Sequence, residues 1–184
     1  MELYLIRHPR PDVPAGTCYG QSDVGILDDA AEVASRLRPL LPTHYTLHAS
    51  PLRRARLLAE QLGPPRFDER LREMHFGAWE MQTYAAIGSQ IDAWAEDPLG
   101  FRAPGGESAR QMSARVLDWL DEHRAPDDGP AARVVVAHGG PLRAIAGHLL
   151  GLPEARWLGL DFACGQLTRL DIHDWGVTLK WFNR

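Results

Sequence analysis

Three short segments set histidine or arginine where a strand would end and a turn begin. They are Arg7-His8-Pro9, Ala49-Ser50-Pro51 with Arg54 close behind, and Ala137-His138-Gly139-Gly140. Arginine is the side chain best shaped to grip a phosphate in a bidentate fork. A histidine among arginines is penalised as an imidazolium, so its pKa falls and a ring nitrogen stays free to attack. The same positive charge meets the main electrostatic demand of phosphoryl transfer, which is charge on the non-bridging oxygens. On that chemistry no metal or other cofactor is expected. Taken singly, a histidine at a strand end is ordinarily structural, an early helix arginine is ordinarily solvated, and Gly139-Gly140 is a common strand-to-helix turn. Two histidines and two arginines together make a cationic pocket with no obvious structural purpose.

Such a pocket still needs a proton donor for the leaving oxygen. The segment Arg72-Glu73-Met74-His75-Phe76-Gly77-Ala78-Trp79-Glu80 supplies one, with Glu73 the best candidate. A carboxyl held near an anion and an aromatic wall has its pKa raised towards neutrality. Spacing alone does not separate Glu73 from Glu69 or Glu80, and each reads equally as a surface carboxylate.

The elements that must position these groups are legible as alternating strands and helices. Strands are expected at 2–7, 46–50, 133–137, 167–172 and 177–182, the third a nearly all-apolar run suited to burial on both faces. The last two flank His173-Asp174-Trp175-Gly176 and read as a hairpin. Helices are expected near 28–41, 51–63, 83–96, 108–124 and 140–150, with Ser108 and Gln111 at capping-box spacing. Ser50 is expected to cap the second helix, with Pro51 its first residue, and Pro141 to open the last. This alternation predicts an α/β three-layer sandwich around a mostly parallel central sheet. Residues 73–107 read as a helical insertion over the active-site edge, and Pro126-Asp-Asp-Gly-Pro130 as a plain loop. Ligands bind beyond the carboxyl ends of strands in such sheets, where all three segments fall. Free N–H groups at the start of the last helix favour a bound phosphate there.

Length and composition agree with one ordinary domain. The chain has 184 residues, 45% apolar and 24% charged, which excludes a disordered or collagen-like chain. Its net charge of −4 argues against non-specific nucleic-acid binding. Lys180 is the only lysine among 20 basic residues. Cys18 and Cys164 are too few for a disulfide framework and lack metal-ligand spacing. The first six residues are too few for a signal peptide, and no apolar run approaches the roughly 18 residues of a membrane span. A cytoplasmic protein is expected, whose partner is a small-molecule phosphomonoester and neither nucleic acid nor membrane.

Arg7-His8, Ser50-Pro51-Leu52-Arg53-Arg54-Ala55, Arg72-Glu73 through Trp79-Glu80, and His138-Gly139 follow one another in an order that resembles the histidine phosphatase superfamily, also called phosphoglycerate-mutase-like. The resemblance runs from residue 2 to about 150, with a looser match in the final hairpin. It implies that His8 is the nucleophile that becomes phosphohistidine. Arg7, Arg54 and His138 then bind the phosphoryl group, with Gly139 beside them, and Glu73 is the acid and later the base for water. Arg54 is preferred to Arg53 because the family's arginine directly precedes the alanine. Departures fall around the substrate pocket: Pro9 stands for the usual glycine, Pro14 for an asparagine, Met81 for a glycine, and Asp28-Asp29-Ala30-Ala31 for a Thr-x-x-Gly stretch.

Arg7-His8-Pro9 followed by Gly16-Thr17-Cys18-Tyr19-Gly20-Gln21-Ser22-Asp23 is similar to the α-ribazole phosphatase branch, which acts on nucleoside-like phosphates of cobalamin assembly. On this resemblance Tyr19, Gly20 and Gln21 border the leaving group, Tyr19 stacking on a flat base and Gln21 hydrogen-bonding a ribose hydroxyl. A broad small-molecule phosphatase, a phosphoglycerate-type mutase and an inactive binding or scaffold module are the alternatives. The last expects a missing nucleophile or arginine, and neither is missing.

Overall fold

The computed structural model describes residues 1–124 and 131–184. The loop expected at Pro126–Pro130 lies outside the described residues. Six strands form one sheet among the described residues: β1 (Glu2–Arg7), β2 (Thr46–Ala49), β3 (Arg66–Phe67), β4 (Ala132–Ala137), β5 (Leu167–His173) and β6 (Gly176–Trp181). Their order is β3-β2-β4-β1-β5-β6. The first four in that order run parallel, whereas β5 and β6 are antiparallel and form the expected hairpin. All of β4 is buried, as its apolar run demands at the middle of a covered sheet.

Helices cover both faces. α1 (Ala30–Leu37) and α2 (Arg53–Leu62) lie on one side, where Val33, Leu37, Leu58 and Leu62 pack on Tyr4, Ile6 and Val136. α5 (Ala109–His123) and α6 (Gly139–Leu149) lie on the other, where Val116, Trp119, Leu142 and Ile145 pack on Leu3, Leu5 and Val135. The sandwich is therefore the expected one. α5 starts where its capping box says, with Ser108 Oγ accepting from Gln111 N and Gln111 Oε1 from Ser108 N.

Three boundaries differ from expectation. α1 is shorter than 28–41, because Asp29 caps it at one end and a 3₁₀ turn containing Pro39 follows at the other. The expected helix 83–96 is two short ones, α3 (Tyr84–Ile87) and α4 (Gln90–Glu96), parted at Gly88 with φ +61°. Residues 73–107 therefore carry only short helices, and a small apolar cluster there joins Trp79, Ile87 and Ala103 to Cys18. Among the described residues no helix is long and apolar enough to cross a membrane.

Candidate active site

Strand register brings the three segments together. Arg7 pairs with Ala137 and Ala49 with Val136, so β1, β2 and β4 end side by side. His8 N donates to Ala137 O and Ser50 N to Val136 O, both at 3.0 Å. His8, Ser50, Arg54 and His138 are all buried at this edge, and the two imidazole centroids lie 5.1 Å apart.

His8 Nδ1 lies 2.6 Å from the carbonyl oxygen of Pro9. A carbonyl only accepts, so Nδ1 carries the proton and Nε2 keeps its lone pair. Burial above all, then the charges of Arg54 and Arg7, brings the His8 pKa down to about 3. The ring is thus neutral at working pH. His138 is lowered as well, by burial and by Arg54, His8 and Arg7.

The arginines are held by carbonyls. Arg54 Nη1 and Nη2 donate to Ser22 O (3.0 Å) and Gly20 O (2.5 Å), and Arg7 Nη1 donates to Phe162 O (2.6 Å). Arg7 Nε, Arg54 Nε and His138 Nδ1 are buried without a hydrogen-bond partner. An unsatisfied buried donor costs about 1–3 kcal/mol. Three such groups around His8 fit an acceptor with several anionic oxygens.

The structure separates the three candidate acids. Glu69 is exposed and pairs with Arg72 at 2.6 Å. Glu80 accepts from Gly20 N, Gln21 N, Ser22 N, Phe76 N and Ser22 Oγ. Burial pushes its pKa up, but the Ser22 hydroxyl and those N–H groups outweigh burial and hold it below the carboxylate range. Glu80 therefore clasps the loop after Tyr19. Glu73 opens on the cleft beside Arg7, with Oε1 accepting from Met74 N (2.9 Å) and Oε2 from Gly140 N (3.2 Å).

Sequence reasoning misplaced two boundaries here and missed two residues. Leu52, not Ser50, is the N-cap of α2, which begins at Arg53 rather than Pro51. The Ser50 hydroxyl is 2.7 Å from His138 Nε2 instead. Pro141 is the third residue of α6, not the first, because His138 is already its N-cap. Arg115 was not singled out, yet it donates to the carbonyls of Arg70, Arg72 and Glu73 and pairs with Glu107 at 2.5 Å. That clamp fixes the Glu73 backbone. Arg143 was missed too, although it stands four residues after Gly139, where a helical side chain leans back over the N-terminus. Its Nη1 and the Arg7 guanidinium both lie near 3.5 Å from where a Gly139 Cβ would be, at 3.5 and 3.6 Å.

A cavity of about 420 Å³ leads away from Arg7 and Glu73. Its lining is polar at Arg7, Glu73, Gly140 and Arg143 and aromatic at Tyr19, Phe76, Trp79, Tyr84, Trp94 and Trp157. Tyr19 is therefore on the wall, its ring 5.2 Å from the Arg54 guanidinium carbon. Gly20 and Gln21 are not. A Cβ on Gly20 would come within 1.9 Å of Met74 O, and the Gln21 amide donates to Glu73 O at 3.0 Å. In this structure the Gln21 amide nitrogen is thus engaged with the Glu73 backbone, and the tight approach of Gly20 to Met74 O shapes the same loop.

The histidine phosphatase superfamily (branch 1) family model matches residues 3–184. The chain belongs to this superfamily. A glucosyl-3-phosphoglycerate phosphatase of Mycolicibacterium vanbaalenii is 35% identical over 179 residues, covering 84% of this chain and 76% of that one. Among solved structures, the α-ribazole phosphatase of Shigella flexneri superposes with TM-score 0.87 at 26% identity, over 100% of this chain and 96% of the other. A mycobacterial glucosyl-3-phosphoglycerate phosphatase bound to inorganic phosphate gives 0.83 at 30% identity, over 100% and 97%. Family membership and these relatives support a phosphatase.

Proposed function

We propose that the protein is a metal-independent phosphomonoesterase working through a phosphohistidine on His8. The observation that carries this is the neutral His8 with Nε2 free, ringed by the unsatisfied donors of Arg7, Arg54 and His138. The Nε2 lone pair attacks phosphorus as the ester P–O bond breaks, and the leaving oxygen takes a proton from Glu73. Pro9 O, bonded to Nδ1–H, supports the positive charge that the ring then gains. Glu73 next removes a proton from water, which attacks phosphorus; the P–N bond breaks and neutral His8 returns. The arginines, His138 and the N–H of Gly139 hold the equatorial oxygens throughout.

The aromatic lining of the cavity favours a leaving group with a flat apolar part, such as the base of α-ribazole 5′-phosphate. A second reading rests on Arg143, whose guanidinium beside Arg7 suits an ester carrying a carboxylate, as phosphoglycerates do. Two free cysteines suit a reducing cytoplasm for either.

A panel of phosphomonoesters assayed with and without chelator tests both levels. Chelator should leave turnover unchanged, and an alkaline quench should trap phosphate on His8. Turnover without that adduct overturns the mechanism. α-Ribazole phosphate should exceed 3-phosphoglycerate by about tenfold in kcat/KM, roughly 1.4 kcal/mol of transition-state binding. The reverse order transfers the substrate to the phosphoglycerate class.

A further inference from the structure

The hydroxyl of Ser50 has two neighbours and one proton. Leu52 N donates to Ser50 Oγ at 3.3 Å, and His138 Nε2 lies 2.7 Å from the same oxygen. Among the described residues that imidazole nitrogen is the only acceptor within reach of the Ser50 hydroxyl. Ser50 is fully buried, so a hydroxyl proton turned elsewhere would go unsatisfied. Ser50 donating to Nε2 leaves only one group unpaired, His138 Nδ1, whereas the reverse direction leaves both the Ser50 proton and Nδ1 without partners. Neutral imidazole then carries its one proton on Nδ1, the buried nitrogen that has no partner.

We infer that Ser50 is a positioning residue that locks His138 in the Nδ1–H tautomer, so that His138 meets the phosphoryl oxygen as a neutral donor. The two histidines then share one tautomer and show opposite sides of the ring. His8 donates Nδ1–H to Pro9 O and offers the Nε2 lone pair; His138 accepts the Ser50 O–H at Nε2 and offers Nδ1–H. Reversing the His138 tautomer would aim a lone pair at a phosphate oxygen. Adjacent parallel strands hold the pair in place, since Ser50 follows β2 and His138 follows β4. This inference rests on the phosphatase reading for its consequence but not for its geometry.

The test is ¹⁵N–¹H correlation of the histidine rings in the native protein, read beside the kinetics of Ser50→Ala and Ser50→Thr. The native spectrum should show His138 protonated at Nδ1 and bare at Nε2. Ser50→Ala should shift His138 towards the Nε2–H form, lower kcat/KM for nitrophenyl phosphate about tenfold or more, and weaken orthovanadate inhibition. Ser50→Thr, which keeps a hydroxyl, should restore the tautomer and most of the rate. A native His138 protonated at Nε2 overturns the inference even if no variant folds. So does a Ser50→Ala protein with unchanged tautomer and rate. A native Nδ1–H tautomer without turnover of any phosphomonoester would instead sink the proposed function and leave the inference standing.

Discussion

At the residue scale, each side chain's role follows from what already occupies its hydrogen-bonding groups. Arg7, Arg54 and His138 keep a buried nitrogen unpaired, and among the candidate carboxylates Glu80 is saturated while Glu73 faces the cleft. Glu73→Gln should therefore slow alkyl phosphates, whose leaving oxygens need a proton, by about 10²–10⁴-fold. Nitrophenyl phosphate, with its better leaving group, should lose far less. Steady-state kcat/KM on both esters checks this, and equal losses would move the acid away from Glu73. Glu80→Gln should instead loosen the 20–22 loop and its hold on Arg54, and so affect both esters alike.

At the element scale, parallel register does most of the positioning, and α6 does the rest. The N-terminal turn of α6 bonds Glu73 through Gly140 N, and a Cβ at Gly140 would fall 2.2 Å from Glu73 Oε1. Gly140→Ala should thus expel the carboxylate and copy Glu73→Gln, sparing nitrophenyl phosphate, with little change in helix content by circular dichroism. Loss of both activities together would mean the helix itself had moved. The sheet, its hairpin and the histidines were legible in the sequence because short apolar runs, turn residues and strand-end residues are local signals. Arg115 and Arg143 were not, since each acts on segments remote in the chain: Arg115 on the carbonyls at 70–73, Arg143 on Leu160 O at 2.9 Å. The misassigned cap at Ser50 has the same origin. Its hydroxyl is drawn off to a partner 88 residues away that no local pattern announces. The two-residue β3 and the 3₁₀ turn at Glu154–Gly159, which brings Trp157 to the cleft, are too short to show a period.

At the scale of the whole molecule, a buried cationic site couples folding to pH. His8 is lowered to about 3 by burial, Arg54 and Arg7; His138 is lowered by burial and the same arginines. A third buried histidine, His48, sits outside the site between Trp119 and His123 and is lowered to about 4 by burial, then by His123, Arg133 and Arg66, against Asp68. Each is neutral when folded and takes a proton near pH 6.5 when unfolded. Between the folded and unfolded pKa values the unfolded chain binds more protons, so stability rises with pH through that window. It is whole above about pH 6.5 and drains away as pH falls towards 3–4. The slope is about 1.4 kcal/mol per pH unit for each titrating group, or roughly 2 kcal/mol by pH 5 for His8 and the same for His48. That is a large share of the roughly 5–15 kcal/mol of an ordinary domain. Urea unfolding at pH 7, 6 and 5 should show the native protein losing stability at every step. His8→Gln and His48→Gln should each flatten the curve by about one proton, and only His8→Gln should abolish turnover. Added phosphate should raise stability at pH 7 in the native protein by mass action, because it binds the folded form alone. An unfolding free energy that stayed level from pH 7 to 5 would mean that the histidines take up protons while folded. The neutral His8 on which nucleophilic attack depends would then be absent.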